Sequence, residues 1–301
     1  MQQTSPLTRA ARAMAPLAWI GPAIVLIAVV VVWPVVAMIQ SSFLKINRSG
    51  VVQGSNGTGN YAKLFEEPDF PGVMARSVIW VVAVVAITIL LSLALAQLFN
   101  QRFPGRRLAR WAMIAPWAAS VLMTAIIFKW MLDPEVGLIN MVRHDLGLLD
   151  ALGGADADQL GQAATAMPWL IAVAVFVSLP FTTYALLAGL STIPAEVYEA
   201  AKTDGASRLR TYWSITLPLL RPALTVATLI NVMNVFNNFP IIWVMTHGQP
   251  GYSTATSTIF MFILKRSDIG ESAAMSVVNF GMVIVLVAIF LKVSKWKNEV
   301  S

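Results

Sequence analysis

The chain has 301 residues, 57% of them hydrophobic and only 12% charged, with a mean hydropathy of +0.70, which excludes an ordinary soluble domain and points to a bilayer. It contains no cysteine, so disulfides, thiolate metal sites and thiol catalysis are excluded. The net charge of +6 comes from basic residues spread over four juxtamembrane segments, not from one patch interleaved with aromatics, which argues against a nucleic-acid partner.

Asp, Glu, Lys and Arg are absent from 13–44, 77–101, 111–128, 159–195, 222–264 and 272–291. Each stretch can house a helix of about 20 residues, enough to cross about 30 Å of hydrocarbon. The expected architecture is all-α: an N-terminal tail, 1–14, then one membrane domain, 15–301, with six spans near 17–43, 77–99, 111–131, 169–191, 222–245 and 273–293. The first stretch is too long for a signal-peptide core and no small-residue cleavage site follows it, so it is read as an uncleaved span. Six spans put both termini on one side. That side carries 13 basic residues, whereas the other has eight against eleven acidic ones, so both termini are placed in the cytoplasm.

After the first span, the loop 44–75 is polar and glycine-rich before the short motif Asn60–Phe65, NYAKLF. Lys129, at the outer end of the third span, can snorkel to the interface. In the loop 132–168, Asp133, Glu135, Asp145, Asp150, Asp156 and Asp158 face Arg143 alone. They lack ligand-like spacing and are read as a solvated acidic loop, not a metal site.

The loop 192–221 is the one long polar, helix-prone stretch on the cytoplasmic side. Pro194 and Glu196 suit a helix start, Gly205 suits its end, Ser207 can cap a second short helix with Leu209, Tyr212 and Trp213 on one face, and Pro218 closes the unit. A compact knob of two helices around a glycine is predicted. In the fifth span, Asn231, Asn234 and Asn238 recur at spacings of three and four, which would put them on one face of a continuous helix, with Asn237 about 100° away. Four amides in an apolar span need partners, either neighbouring helices or a ligand.

Two motifs carry a resemblance. The knob reads Glu199-Ala200-Ala201, then Gly205, then Ile215, Leu217 and Pro218, and resembles the Glu-Ala-Ala loop of membrane permease subunits of bacterial binding-protein-dependent ABC sugar importers. NVFNNFPII, 234–242, resembles the matching segment of the maltose-type permeases, NYAKLF a motif preceding their core spans, and THGQPGYSTATS, 246–257, their Gly-Gly-Pro loop with Gln249 at the second glycine.

The resemblance implies a type I ABC importer permease fold with a cytoplasmic coupling helix. It implies sugar contacts at Trp117, Val121, Val177, Ser178, Phe181, Asn231, Asn234, Val235 and Asn238, and ATPase coupling through Glu199, Ala200, Ala201, Gly205, Ile215, Leu217 and Pro218. The implied partners are a second related permease, an ABC ATPase dimer and an extracellular sugar-binding protein, in a bacterial plasma or inner membrane. This chain has no phosphate-binding loop and is not expected to be an enzyme or to bind a cofactor; ATP and Mg would be used by the ATPase. A disaccharide of the trehalose or maltose type is the expected substrate, with a glycerol phosphodiester or another small solute as the alternative. A gradient-driven carrier is disfavoured because the spans bury no ionisable group at their centres.

Overall fold

A computed structural model describes residues 20–148 and 153–293. The predicted tail 1–14, the first residues of the first span, Asp150 and the terminal Lys295 and Lys297 lie outside the described residues.

Among the described residues, five helical segments are long and apolar enough to cross a membrane: α1 (Ile20–Ser42), the long helices Phe70–Asn100 and Ala163–Ser191, the segment Arg221–Met245, and Ile269–Lys292. In chain order, α1 is followed by strands β1 (Leu44–Ile46) and β2 (Val52–Ser55), α2 (Gly59–Glu66), α3 (Phe70–Asn100), α4 (Arg106–Ala118), α5 (Val121–Met131) and α6 (Leu138–Asp145). Then come α7 (Ala163–Ser191), α8 (Ala195–Thr203), α9 (Arg208–Thr211), α10 (Arg221–Phe236), α11 (Phe239–Met245), α12 (Ser257–Lys265) and α13 (Ile269–Val293).

Two expected spans are interrupted. The stretch 111–131 is not one helix: α4 ends at Ala118 and α5 begins at Val121, with Ser120 extended and its hydroxyl capping the Met123 amide at 3.1 Å. A serine N-cap starts a new helix there, which the charge-free composition of the stretch conceals. The fifth span breaks between α10 and α11 at Asn237–Asn238. Pro240 is the reason: it cannot donate to the carbonyl four residues back and its ring crowds that turn, but it fits the first turn of a new helix, here α11. In a smaller departure, Pro194 is the extended residue preceding α8, whose first turn begins at Ala195.

Residue contacts divide the chain into two units. In the first, 1–67 with 263–278, the NYAKLF motif has a structural use. Asn60 is buried and donates to the carbonyls of Ser42 and Leu44, both at 2.9 Å, closing the end of α1. Tyr61 shares a 2.7 Å hydrogen bond with the Ser42 hydroxyl. Lys63 meets Glu271 at 2.7 Å and Asp268 at 2.9 Å, and its hydrogen bond to Glu271 holds its pKa above the ordinary lysine value. Because Glu271 is 1% exposed, its charge depends on that lysine.

The second unit, 68–262 with 279–301, is built on α3, α7 and α10. Ala96 and Phe99 of α3 and Leu186, Leu187 and Leu190 of α7 enclose Leu220 and Ala227 in one apolar core. Gly189 lets α7 approach α10 closely, since a Cβ there would lie 2.5 Å from that of Ala223. Gly189→Ala should therefore lower the thermal midpoint of the purified protein, by the equivalent of about 1–3 kcal/mol for an overpacked contact. Adding Ala223→Gly should recover part of that loss, measured by thermal unfolding in detergent; equal midpoints for Gly189→Ala and the parent would refute the close approach.

Candidate functional site

A cavity of about 540 Å³ opens in the second unit where the two helix breaks meet α7. Trp117 and Val121 line it from either side of the α4–α5 break. Val177, Ser178, Phe181 and Thr182 line it from α7 around the internal Pro180. The third wall runs through the α10–α11 break, with Asn231, Asn234 and Val235 before it and Asn237, Asn238 and Pro240 across it. All nine residues singled out for sugar contact thus line one cavity, and none of its lining residues is charged.

Local chemistry at the break explains the amides. A helix that stops inside a span leaves carbonyls without intrahelical partners, and hydrocarbon supplies none. The Val235 carbonyl receives the indole N–H of buried Trp80 at 3.0 Å and the backbone N–H of Asn238 at 3.2 Å. The Met233 carbonyl receives both the backbone N–H and the side-chain amide of Asn237, at 3.3 and 3.0 Å. On the far side, the Asn238 side-chain oxygen accepts from the Ile241 N–H at 3.4 Å and caps α11. Asn231 is buried and donates to the Thr182 hydroxyl at 3.2 Å, and Asn234 is exposed.

This corrects the reading of one continuous asparagine face. Asn231 and Asn234 sit on α10, Asn237 is its C-cap and Asn238 is the N-cap of α11, so the rotation that set Asn237 apart does not apply. Asn237 lines the cavity as well, together with Thr182, Met233 and Pro240, which the sequence reading did not select. The available signal was Asn238-Phe239-Pro240, a cap followed by a proline in the first helical turn.

The knob forms as two helices around a glycine. α8 ends in a Schellman closure in which the Ala206 N–H reaches the Ala201 carbonyl at 2.9 Å and the Gly205 N–H reaches that of Lys202 at 3.1 Å. That closure puts Gly205 at a φ of +73°, where a side chain would be strained. Ser207 caps α9 by accepting from the Arg210 N–H at 3.3 Å. Glu199 and Ala200 are exposed while Ala201 is buried, so the triplet presents two residues outward and anchors with the third. Ile215, Leu217 and Pro218 are half-buried in the helical segment 212–219 that joins α9 to α10, and the next residue but one, Leu220, enters the core. Leu209 and Trp213 are 70% and 60% exposed, so much of the predicted apolar face is an open surface. Only Tyr212 of that set turns in, and burial raises its pKa. In the acidic loop, the Asp133 carboxylate accepts from the Glu135 and Val136 amides and that of Asp158 from Gly161, so both order local turns.

The capping geometry separates two kinds of asparagine. Asn238→Ala should cost about 1 kcal/mol of stability through the lost cap, whereas Asn234→Ala, at an exposed site, should stay within about 0.5 kcal/mol of the parent. Thermal unfolding of the two purified variants measures the difference, and equal stabilities would refute the capping role.

The family described as binding-protein-dependent transport system inner membrane component matches residues 67–295. The chain is 38% identical over 275 residues to a probable ABC transporter permease protein of Brucella suis, covering 91% of this chain and 94% of the relative. It is 30% identical to the sulfoquinovosyl glycerol transport system permease protein SmoG of Agrobacterium fabrum, covering 93% and 90%. It is 32% identical to the trehalose/maltose transport system permease protein MalF of Thermococcus litoralis, covering 81% of each. In structure it is similar to a chain of a bacterial ABC transporter involved in the import of the acidic polysaccharide alginate, with a TM-score of 0.81 at 20% identity, covering 97% of this chain and 99% of that one. That likeness concerns the fold, the type I importer permease fold. With five candidate spans and a shorter apolar helix, Val121–Met131, among the described residues, and a family match over most of its length, the chain is a multi-pass membrane protein and belongs to the family of binding-protein-dependent transport system inner membrane components.

Proposed function

We propose that this chain forms half of the translocation path of an ATP-driven importer for a neutral sugar, and that its knob docks on a separate ABC ATPase. The observation that carries the substrate class is the cavity: four asparagine amides, a serine and a threonine hydroxyl and the rings of Trp117 and Phe181, with no charged lining residue. Amides both donate and accept, as sugar hydroxyls do, and flat apolar faces suit a pyranose ring. Relatives named for trehalose/maltose and for sulfoquinovosyl glycerol support a saccharide, and a disaccharide is the finer reading. A glycerol phosphodiester fits less well, because no cation stands at the cavity to meet a phosphate.

The partners proposed are a second related permease, two copies of the ATPase and an extracellular sugar-binding protein. A similar solved transporter was captured with its alginate pentasaccharide-bound periplasmic protein, which supports the last of these. Neither ATP nor Mg is proposed to bind this chain. Exposed Glu199 would meet a basic side chain of the ATPase, Ala200 would permit close approach, and Leu209 and Trp213 would give the docking face its apolar area. Movement of the ATPase would then pass through Ile215, Leu217 and Pro218 to the core at Leu220 and rock the spans as rigid bodies. Glu199→Lys or Gly205→Val should abolish sugar uptake while ATP hydrolysis by the complex continues and the chain still inserts. Normal uptake in both variants would refute the coupling.

The excess of basic residues on the side of the knob supports a topology with both termini in the cytoplasm, in a bacterial inner or plasma membrane. A green fluorescent protein fused after Val300 should therefore fluoresce, and alkaline phosphatase fused there should be inactive. The opposite pair of results would invert the topology.

A further inference from the structure

Three of the four amides of the cavity are held by protein partners that dictate which end each one offers. The Thr182 hydroxyl donates its one proton to the Ser178 carbonyl at 2.8 Å, and a carbonyl can only accept. The Thr182 oxygen is left as an acceptor, so Asn231, 3.2 Å away, must present its –NH2 to it and turn its Oδ1 away. Thr182 and Asn231 are 1% and 3% exposed and both line the cavity, and Asn231 Oδ1 has no partner among the described residues. The same reasoning fixes two neighbours. Asn237 gives its –NH2 to the Met233 carbonyl and offers oxygen; Asn238 gives its oxygen to the Ile241 N–H and offers –NH2.

We propose that Thr182 is a positioning residue that locks Asn231 as a hydrogen-bond acceptor, so that the cavity selects its ligand by the proton one hydroxyl donates to Asn231 Oδ1. This rests on the cavity being the sugar site. The ligand class is narrowed to neutral polyols that present a donating hydroxyl to Asn231 and an accepting oxygen to Asn238. Turning Asn231 over would set its oxygen against the lone pairs of Thr182, whose proton is already committed to Ser178. A site that leaves a buried polar group unpaired rejects the wrong ligand more strongly than a site that can rearrange.

The test compares uptake of maltose and trehalose, and competition by their monodeoxy and monodeoxyfluoro derivatives, in the full complex carrying the parent chain, Thr182→Ser or Thr182→Val. Fluorine can accept weakly but cannot donate, so it separates the two ends of an amide. In the parent, at one hydroxyl position, the deoxy and deoxyfluoro derivatives should both compete roughly tenfold more weakly than the intact sugar, the ordinary worth of one hydrogen bond. Thr182→Ser should keep that discrimination. Thr182→Val should reduce the deoxyfluoro penalty to about twofold and leave the deoxy penalty in place, with the change falling on the half-saturating concentration more than on the maximal rate. Thr182→Ala, which removes the oxygen without adding a methyl group in its place, carries the same expectation if the valine variant does not assemble.

Discrimination against the deoxyfluoro derivative that survives in both Val and Ala variants, or that is lost in Ser as well, would overturn the positioning role. So would a fall in maximal uptake and complex yield at constant selectivity, which is what a purely structural contact would give. Transport of a charged solute in preference to both sugars by the parent complex would instead overturn the sugar-site reading, and the proposal with it.

Discussion

The constraint on which this structure depends is that a peptide group inside hydrocarbon must find a partner in the protein. Two spans break their helix, at Ala119–Ser120 between α4 and α5 and at Asn237–Asn238 between α10 and α11, and residues beside both breaks line one cavity with those of α7 around Pro180. Irregular backbone at membrane depth is tolerated where it is packed in protein or borders a polar cavity, and this arrangement does both. Ser120, Trp80, Asn237 and Asn238 satisfy the freed groups from side chains. The same breaks that require polar side chains for stability therefore supply the polar lining of the cavity.

At the other end of the second unit, the knob and the spans share one mechanical path. The Schellman closure at Gly205 fixes the angle between α8 and α9, and the turns through Ile215 and Pro218 lead directly into Leu220, buried among side chains of α3 and α7. Gly189 tightens the same region by letting α10 lie against α7. A force applied at Glu199 would thus meet packed side chains instead of a slack linker, and packed interfaces shift between discrete arrangements. The α7 residues in this core, Leu186 and Leu187, are one turn beyond Thr182, which lines the cavity, so the core and the cavity share a helix.

The parts legible in the sequence are those written in local spacing. The knob was readable residue by residue because capping and glycine rules act over a few positions, and the spans were readable as gaps between charges. Helix breaks were not, because a window of apolar composition is blind to a serine cap at 120, and a proline at 240 looks like an ordinary kink until the Asn two residues before it is read as a cap. That omission had a specific consequence: treating 222–245 as continuous put Asn237 on the wrong face and hid its place in the cavity. The apolar stripe Leu209–Trp213 was legible as a face but its exposure was not, because amphipathic periodicity identifies an apolar face without saying what covers it. The partners of Lys63 are some 200 residues further along the chain, beyond the reach of any local pattern.

The choice of asparagine at the break follows from its two ends. A serine at 238 could cap α11 through its oxygen, but would keep only one proton for a ligand; an aspartate could cap equally well, but would bring an uncompensated charge into the membrane. Asparagine accepts from the Ile241 N–H with its oxygen and keeps two amide protons facing the cavity. Asn237, at the C-terminal end of α10, faces the reverse demand, since a helix end leaves carbonyls, and so it donates an amide proton to Met233 and keeps its oxygen. The opposite polarities of successive amides are thus set by which end of a helix each one closes. Donor and acceptor positions in the cavity follow from backbone geometry, so selectivity for a hydroxyl pattern and stability of the broken span are properties of the same hydrogen bonds.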